Sequence, residues 1–415
     1  MPDTKRKARD QGSRIGLALA GGGPLGAIYE IGALCALEDA LDGLDFTRLD
    51  HYVGVSAGGF IAAGLANGMR PRELYRAFSA GEPGEEMFDP DWLLVPAWRE
   101  LFDRLRRTPQ LVLGAAWRLL AGRRSLTSAL EHLGQALPTG LLSGDEVQKR
   151  LADWFSRNGR TNDFGRLRAR LTLVATNLDS GEAAPFGRPG FDHVPISLAV
   201  QASAALPGLF PPVEIDGRSY VDGALKKTLH ASVALDDGVD LLLCLNPLVP
   251  FDAEAPQPAR VMRRGLPPER RSIPRIVDGG LPAVLTQTFR AMIHSRLELG
   301  MKHYERAYPG TDIVLFEPDP RDPELYLANT FSYAQRDQLA EHAYQQTRSQ
   351  LRQRRGPLGR KLARHGVRLN NAALDDRERH LAAPPPVRTR LVRAVNTLEE
   401  SIDTLASTLA LPRAA

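Results

Sequence analysis

Short apolar runs that break at glycine-rich turns recur along this chain, and each leads into a longer stretch with helical periodicity. Ile15-Gly16-Leu17-Ala18-Leu19-Ala20 runs into Gly21-Gly22-Gly23-Pro24-Leu25-Gly26, after which Ala27 to Leu41 reads as a helix. His51-Tyr52-Val53 runs into Gly54-Val55-Ser56-Ala57-Gly58-Gly59, and a second helix follows to Ala66. Further strand-like runs stand at Leu171 to Ala175, Leu241 to Leu245 and Ile313 to Phe316, with a helix expected over Tyr333 to Leu351. Val213-Glu214-Ile215 and Tyr220-Val221 flank Asp216-Gly217-Arg218, which reads as a hairpin turn. Strands alternating with helices predict an α/β fold of three layers, α/β/α, around a mostly parallel central sheet. No internal period is visible, which argues against a repeat architecture.

The two turns carry chemistry. A serine with glycines two residues before and after it, here Gly54 and Gly58 around Ser56, suits a sharp strand-to-helix turn that projects its hydroxyl. The alcohol needs a base, and the oxyanion formed on attack needs backbone N–H donors. Gly21, Gly22 and Gly23 can present such donors at the start of a helix, whose N-terminus favours negative charge. Pro24 has no N–H, so the donors come from Gly22, Gly23 or Leu25, with Ala57 as a further candidate. Gly21, Gly23 and Gly26 also form a G-x-G-x-x-G dinucleotide fingerprint, but that reading needs an acidic residue closing the second strand. Ser56 stands there instead, and Asp42, Asp45 and Asp50 precede it.

The base is less plain. Nine histidines are present, and none sits in a comparable small-residue turn; His294 and His303 lie on a helix-like segment among charged neighbours. Ser219-Tyr220-Val221-Asp222-Gly223-Ala224 reads as a short strand that delivers a carboxylate into a glycine turn, which makes Asp222 a candidate base. An Asp-Gly pair is also the commonest of hairpin turns, so Asp222 alone says little.

With the glycine loop, the serine elbow and the Asp-Gly-Ala in that order, the chain resembles the patatin-like phospholipase family over about residues 14 to 230. Ala202-Ser203-Ala204-Ala205-Leu206-Pro207-Gly208-Leu209-Phe210-Pro211-Pro212 is similar to the segment that this family places before its catalytic aspartate. The resemblance implies Ser56 as nucleophile, Asp222 as base of a Ser-Asp dyad and Gly21 to Gly23 as oxyanion hole, with no histidine and no cofactor or metal. The family's loop commonly carries a basic residue just before its last glycine, whereas Leu25 stands here, which bears on the headgroup accepted.

Composition then sets limits. At 415 residues, 43% hydrophobic and 25% charged, the chain can bury a large core. No run of 18 apolar residues is present, and the polar, basic first 14 residues do not read as a signal peptide. Cys35 and Cys244, both in apolar surroundings, read as buried free thiols and give no metal framework, which points to the cytoplasm. From Arg348 onward there are 14 Lys and Arg against 6 Asp and Glu, a net of +8, so the rest carries −4 against the total of +4. Residues 1–13 are accordingly expected to be disordered, 14–352 to form the hydrolase body with a helical insertion at about 85–160, and 353–415 a basic tail ending in an amphipathic helix. Within the insertion, Trp92 to Arg124 interleaves aromatic and aliphatic residues with arginines, as a helix at a lipid interface or a packed lid would.

The reading is a serine esterase of lipid acyl esters, of phospholipase A or lysophospholipase type, peripheral at a membrane surface. Its rivals are a neutral-lipid or general carboxylesterase and a non-hydrolytic membrane-associated or nucleotide-binding module. No nucleic-acid module is recognisable.

Overall fold

The computed structural model describes residues 12–79, 138–157, 159–254, 275–328 and 333–381, with single positions at 92, 95–98, 102, 106 and 256. Most of the expected insertion, including nearly all of 92–124, and residues 382–415 lie outside the described residues.

Eight strands form one sheet. At its centre β1 (Ile15–Leu19) lies between β3 (His51–Val55) and β8 (Leu241–Leu245), with β4 (Arg170–Asn177) outside β3 and β9 (Asp312–Phe316) outside β8. These five run parallel. The expectation of a mostly parallel sheet needs correcting beyond β4, because β5 (Ala183–Phe186), β6 (Val213–Ile215) and β7 (Arg218–Asp222) are antiparallel, making the sheet mixed. The cause is connection length: residues 178–182 join β4 to β5 and residues 216–217 join β6 to β7, too short for a crossover. The second of these is the anticipated hairpin, with Asp216 at φ 52° and Gly217 at φ 70° as a two-residue turn of this twist requires. A short β2 (Leu41–Asp42) pairs apart from the sheet with β10 (Arg368–Leu369).

The central strands are buried on both faces, so they read as continuous apolar runs rather than alternating ones. Along β1, Leu17 and Leu19 face one layer while Ala18 faces the other. The first layer holds α1 (Gly23–Ala40), α2 (Ala57–Ala66), α3 (Pro71–Phe78), α4 (Asp145–Phe155), α5 (Ile196–Ser203) and, further along the chain, α9 (Tyr333–Gln353). Opposite them lie α6 (Ser232–Asp236) and the long α7 (Gly280–Ala307), whereas the short α8 (Glu324–Leu327) after β9 puts Leu325 into the first layer's core. The three-layer expectation therefore holds. Helix α1 is apolar nearly all round because the sheet covers one side and α9 the other; a Cβ on Gly32 would stand 2.4 Å from the Ala340 carbonyl oxygen.

Residues 353–381, expected to open a basic tail, pack onto this body instead. Leu358 and Leu362 of α10 (Arg355–Ala363), Leu374 of α11 (Asn371–Asp375) and Leu381 join the main core. Arg348 is buried because its guanidinium donates to the carbonyls of Ala373 at 2.7 Å and Arg379 at 2.9 Å, closing chain ends that would otherwise lack partners.

One feature of the pairing positions the site. β4 pairs with β3 through Val174 and with β5 through Leu173 to Thr176, so β3 and β5 occupy opposite edges of it. β7 pairs with Ala175 to Asn177, which β5 also flanks, so β7 shares the edge of β3 and continues where β3 stops. Val55 faces Val174 and Asp222 faces Ala175; the two strands thus meet end to end at Ser56 and Asp222.

Candidate active site

The buried strand β3 leads directly to Ser56, where the backbone turns at φ 53° and ψ −125° before α2 begins. A non-glycine residue in that region costs on the order of 1–3 kcal/mol unless its surroundings enforce it. They do so here. The Ser56 N–H donates to Ser203 Oγ at 2.8 Å, the Ser203 hydroxyl donates to the Val174 carbonyl at 2.6 Å, and the Gly59 N–H donates to the Ser56 carbonyl at 2.9 Å. The flanking glycines are required by proximity: a Cβ on Gly54 would lie 2.5 Å from Gly59 Cα, and one on Gly58 2.4 Å from the Ala20 carbonyl oxygen. That same oxygen accepts the Gly58 N–H at 3.2 Å, which ties the elbow to the end of β1.

The glycine loop walls the other side. A Cβ on Gly21 would stand 3.1 Å from Ser56 Cβ and 3.7 Å from its Oγ, so only glycine leaves room beside the hydroxyl. Gly22 is extended at φ 171° and lies against Pro247, where a Cβ would come within 2.6 Å. Gly23 takes a left-handed φ of 60° with open space on its side-chain side. Helices α1 and α2 both start here, and among the described residues none accepts a hydrogen bond from the amides of Gly22, Gly23 or Ala57. Free amides at two helix N-termini are the donors that a developing oxyanion needs.

Asp222 closes β7. Its N–H donates to the Ala205 carbonyl at 3.0 Å, its Oδ1 accepts the Ala224 N–H at 2.8 Å, and the neighbouring Ser56 side chain favours its charged form. Burial pushes the carboxyl up from 3.8 to about 6, against the opposing pull of the Ala224 N–H and Ser56. A carboxylate of that affinity is still ionised at neutral pH and is a stronger base than an exposed one. Gly223 is obligatory beside it, since a Cβ would fall 2.1 Å from the Val174 carbonyl oxygen.

Sequence reasoning overlooked two residues. Ser203 was visible within the segment before Asp222, but only the fold shows that it holds Ser56. Glu30 was one acid in an apolar helix. Its carboxyl is fully buried under the loop, with Oε1 accepting the Ala20 N–H at 3.0 Å, and burial holds it well above the usual carboxylate range by disfavouring its charged form. His230 lies close by, bonded to the Gly223 carbonyl at 3.3 Å; burial lowers it to about 4 and it carries no charge at neutral pH. Among the described residues, no histidine bonds to Ser56 or Asp222, and no cluster of three metal-ligating side chains is found. Both cysteines are buried thiols.

An apolar rim adjoins the site. Leu206 and Leu209 are exposed just after Ala205, and Leu141 is held to them where its N–H donates to the Leu209 carbonyl at 3.1 Å. Among the described residues, no helix is long and apolar enough to cross a membrane.

Comparison with known proteins gives a family match, patatin-like phospholipase, over residues 17–235. The uncharacterized protein YqhO of Bacillus subtilis (strain 168) is 26% identical over 266 residues, which cover 61% of this chain and 72% of that one. Among solved structures, VipD from Legionella pneumophila is 18% identical with a TM-score of 0.37, over 82% of this chain and 67% of its own. The type III effector ExoU is 16% identical with a TM-score of 0.33; the match covers 83% of this chain and about half, 53%, of the effector.

Proposed function

The chain belongs to the patatin-like phospholipase family, and on that ground we propose that it is a serine esterase hydrolysing lipid acyl esters through Ser56 and Asp222. The observation that carries this reading is the meeting of β3 and β7 end to end, which brings Ser56 and the buried Asp222 carboxylate together so that the serine lowers the carboxyl against its burial.

Ser56 Oγ attacks the ester carbonyl as its proton passes to Asp222. The oxyanion lies against the amides of Gly22 and Gly23, with Ala57 across from them, and Gly21 keeps the approach open. One such donor is worth about 3 kcal/mol, so the loop supplies much of the acceleration that a carboxylate base does not. When the tetrahedral intermediate collapses, the alcohol, a lysolipid or glycerol oxygen, leaves with the proton from Asp222. The acyl group is then on Ser56. Water attacks that ester while Asp222 takes its proton, and collapse releases the fatty acid and returns the proton to Ser56 Oγ. Leu141, Leu206 and Leu209 offer apolar surface to the acyl chain.

A second reading concerns the headgroup. Leu25 puts no cation in the loop, which favours a neutral-lipid or general acyl ester over a strongly anionic one. Labelling with a fluorophosphonate tests the esterase reading: a stoichiometric adduct on Ser56 supports it, and absence of any adduct in folded protein contradicts it.

A further inference from the structure

We infer that the N-terminal half of α7, from Leu281 to Met292, is a membrane-docking element that inserts its apolar face into an anionic lipid bilayer. The helix is packed into the core at one end only. Leu297 and Tyr304 are its buried residues, packed against α6 and β8, and no residue before Leu297 is buried. Thr311 beyond its end bonds the Val239 carbonyl at 2.9 Å, and Tyr308 bonds Asp236, which places that end beside the start of β8. Arg296 reaches the Leu225 carbonyl at 3.0 Å, three residues after Asp222 and level with the catalytic end of the sheet. Everything N-terminal to Arg296 runs past that end.

Magnitudes support this. Twenty-eight residues of helix span about 42 Å, whereas a five-residue strand such as β8 spans about 17 Å. From Arg296 back to Gly280 the helix makes sixteen rises and so runs about 24 Å along its axis. This arm lies on the side where Ser56 and the glycine loop open, and Gln287 braces it by exchanging hydrogen bonds with the Phe251 backbone at 2.7 and 3.1 Å.

The face it presents is apolar and unpaired. Leu281, Val284, Leu285, Phe289 and Met292 are exposed by 38% (Val284) to 70% (Leu281), at the i, i+3, i+4 spacings that form one stripe of a helix, and Val277 in the turn before it is exposed as well. No charged residue occurs from Gly279 to Phe289. So long an uncharged, exposed stripe is rare on a protein surface without a partner.

Charge selects the lipid. In sequence the twenty residues from 256 to 275 contain six arginines and one glutamate, so the apolar arm is entered from a strongly cationic stretch. That pairing, in sequence, of cations with an uncharged apolar face matches the chemistry of an anionic bilayer, which offers both anionic headgroups and acyl chains. The inference names the surface on which the proposed esterase would find its substrate, and so rests on that reading for its purpose but not for its test.

The test uses full-length Ser56→Ala protein, so that no lipid is consumed, with vesicles of phosphatidylcholine alone or mixed with phosphatidylglycerol. The protein should pellet with the mixed vesicles, less so at high salt, and the double change Leu281→Glu and Phe289→Glu should weaken binding about tenfold or more without lowering the melting temperature. In a separate Phe289→Trp variant, fluorescence should shift to the blue when mixed vesicles are added. Pelleting unchanged by the glutamates would overturn the inference. So would blue emission from Trp at 289 in lipid-free buffer, which would mean that another part of the chain covers the face. A dimer by light scattering that the glutamates dissociate would likewise assign the face to a second copy. Failure of the esterase reading shows elsewhere, as absence of hydrolysis of a short soluble ester by unmodified protein, and leaves vesicle binding untouched.

Discussion

Ser203 holds Ser56 in place: its Oγ accepts the Ser56 N–H at 2.8 Å while its own hydroxyl donates to Val174 at 2.6 Å, bridging the elbow to the strand beneath it. Ser203→Ala should therefore leave Ser56 free to relax from its left-handed φ and strand two buried polar groups, at about 1–3 kcal/mol. The expected kinetic result is a fall in kcat of about tenfold with KM nearly unchanged, because the acyl chain is bound elsewhere. Steady-state hydrolysis of a short ester checks it; a change confined to KM would assign Ser203 to binding.

Glycines at the site should divide into two classes. Gly58→Ala forces a Cβ to 2.4 Å from the Ala20 oxygen, a backbone atom that cannot yield, and should abolish soluble folded protein. Gly23→Ala meets open space and only its φ of 60° is strained, at about 1 kcal/mol. That variant should fold and lose turnover. Thermal melting alongside activity separates the two outcomes.

Glu30 should tolerate loss of its ionisation but not of its oxygen. Since burial disfavours its charged form, Glu30→Gln preserves an acceptor for the Ala20 N–H and should retain most activity, whereas Glu30→Leu should lower kcat by displacing the glycine loop. Equal damage from both would mean that the charged form matters.

The Asp222 carboxyl sets two pH dependences. With Asp222 at about 6, kcat/KM for an uncharged ester should rise with pH up to about 6 and level off above it, as the base ionises. Stability runs the other way. A carboxyl raised from 3.8 to about 6 binds its proton more tightly in the folded protein, so its contribution is full below about 3.8 and is lost as pH rises through about 6. Asp222→Asn, which cannot ionise, should therefore gain stability over the unmodified protein at pH 8 by up to about 3 kcal/mol, and gain little at pH 4. Melting temperatures at the two pH values decide it.

The turns were readable because each depends on adjacent residues: Gly54, Ser56 and Gly58 fold one elbow, and the apolar run Leu241 to Leu245 coincides with β8. Asp222 was different. Asp216-Gly217 and Asp222-Gly223 are the same dipeptide, and what separates them is that β7 takes over the β4 edge from β3, a pairing made across more than 40 residues. That β4–β7 pairing, together with the two short hairpin connections, makes one end of the sheet antiparallel. Charge misled at Arg348 and beyond, where a run of basic residues resembled a solvated tail; several of those guanidiniums satisfy backbone carbonyls that no local pattern reveals. Helix α7 was legible only around His294 and His303, as a helix-like segment among charged neighbours; its uncharged first turns carry no chemical motif and their exposure follows from the fold.

The dependence of Ser56 on Asp222 is measured most directly by hydrolysis of a short soluble ester with Ser56→Ala, Asp222→Asn and the double variant, each confirmed folded by its melting curve. Two residues acting as a unit should each lower kcat by about a thousandfold or more, and the double variant should lose little beyond either single change. Retention of a tenth or more of the turnover by Asp222→Asn, or losses that multiply in the double variant, would contradict the pairing of Ser56 with Asp222.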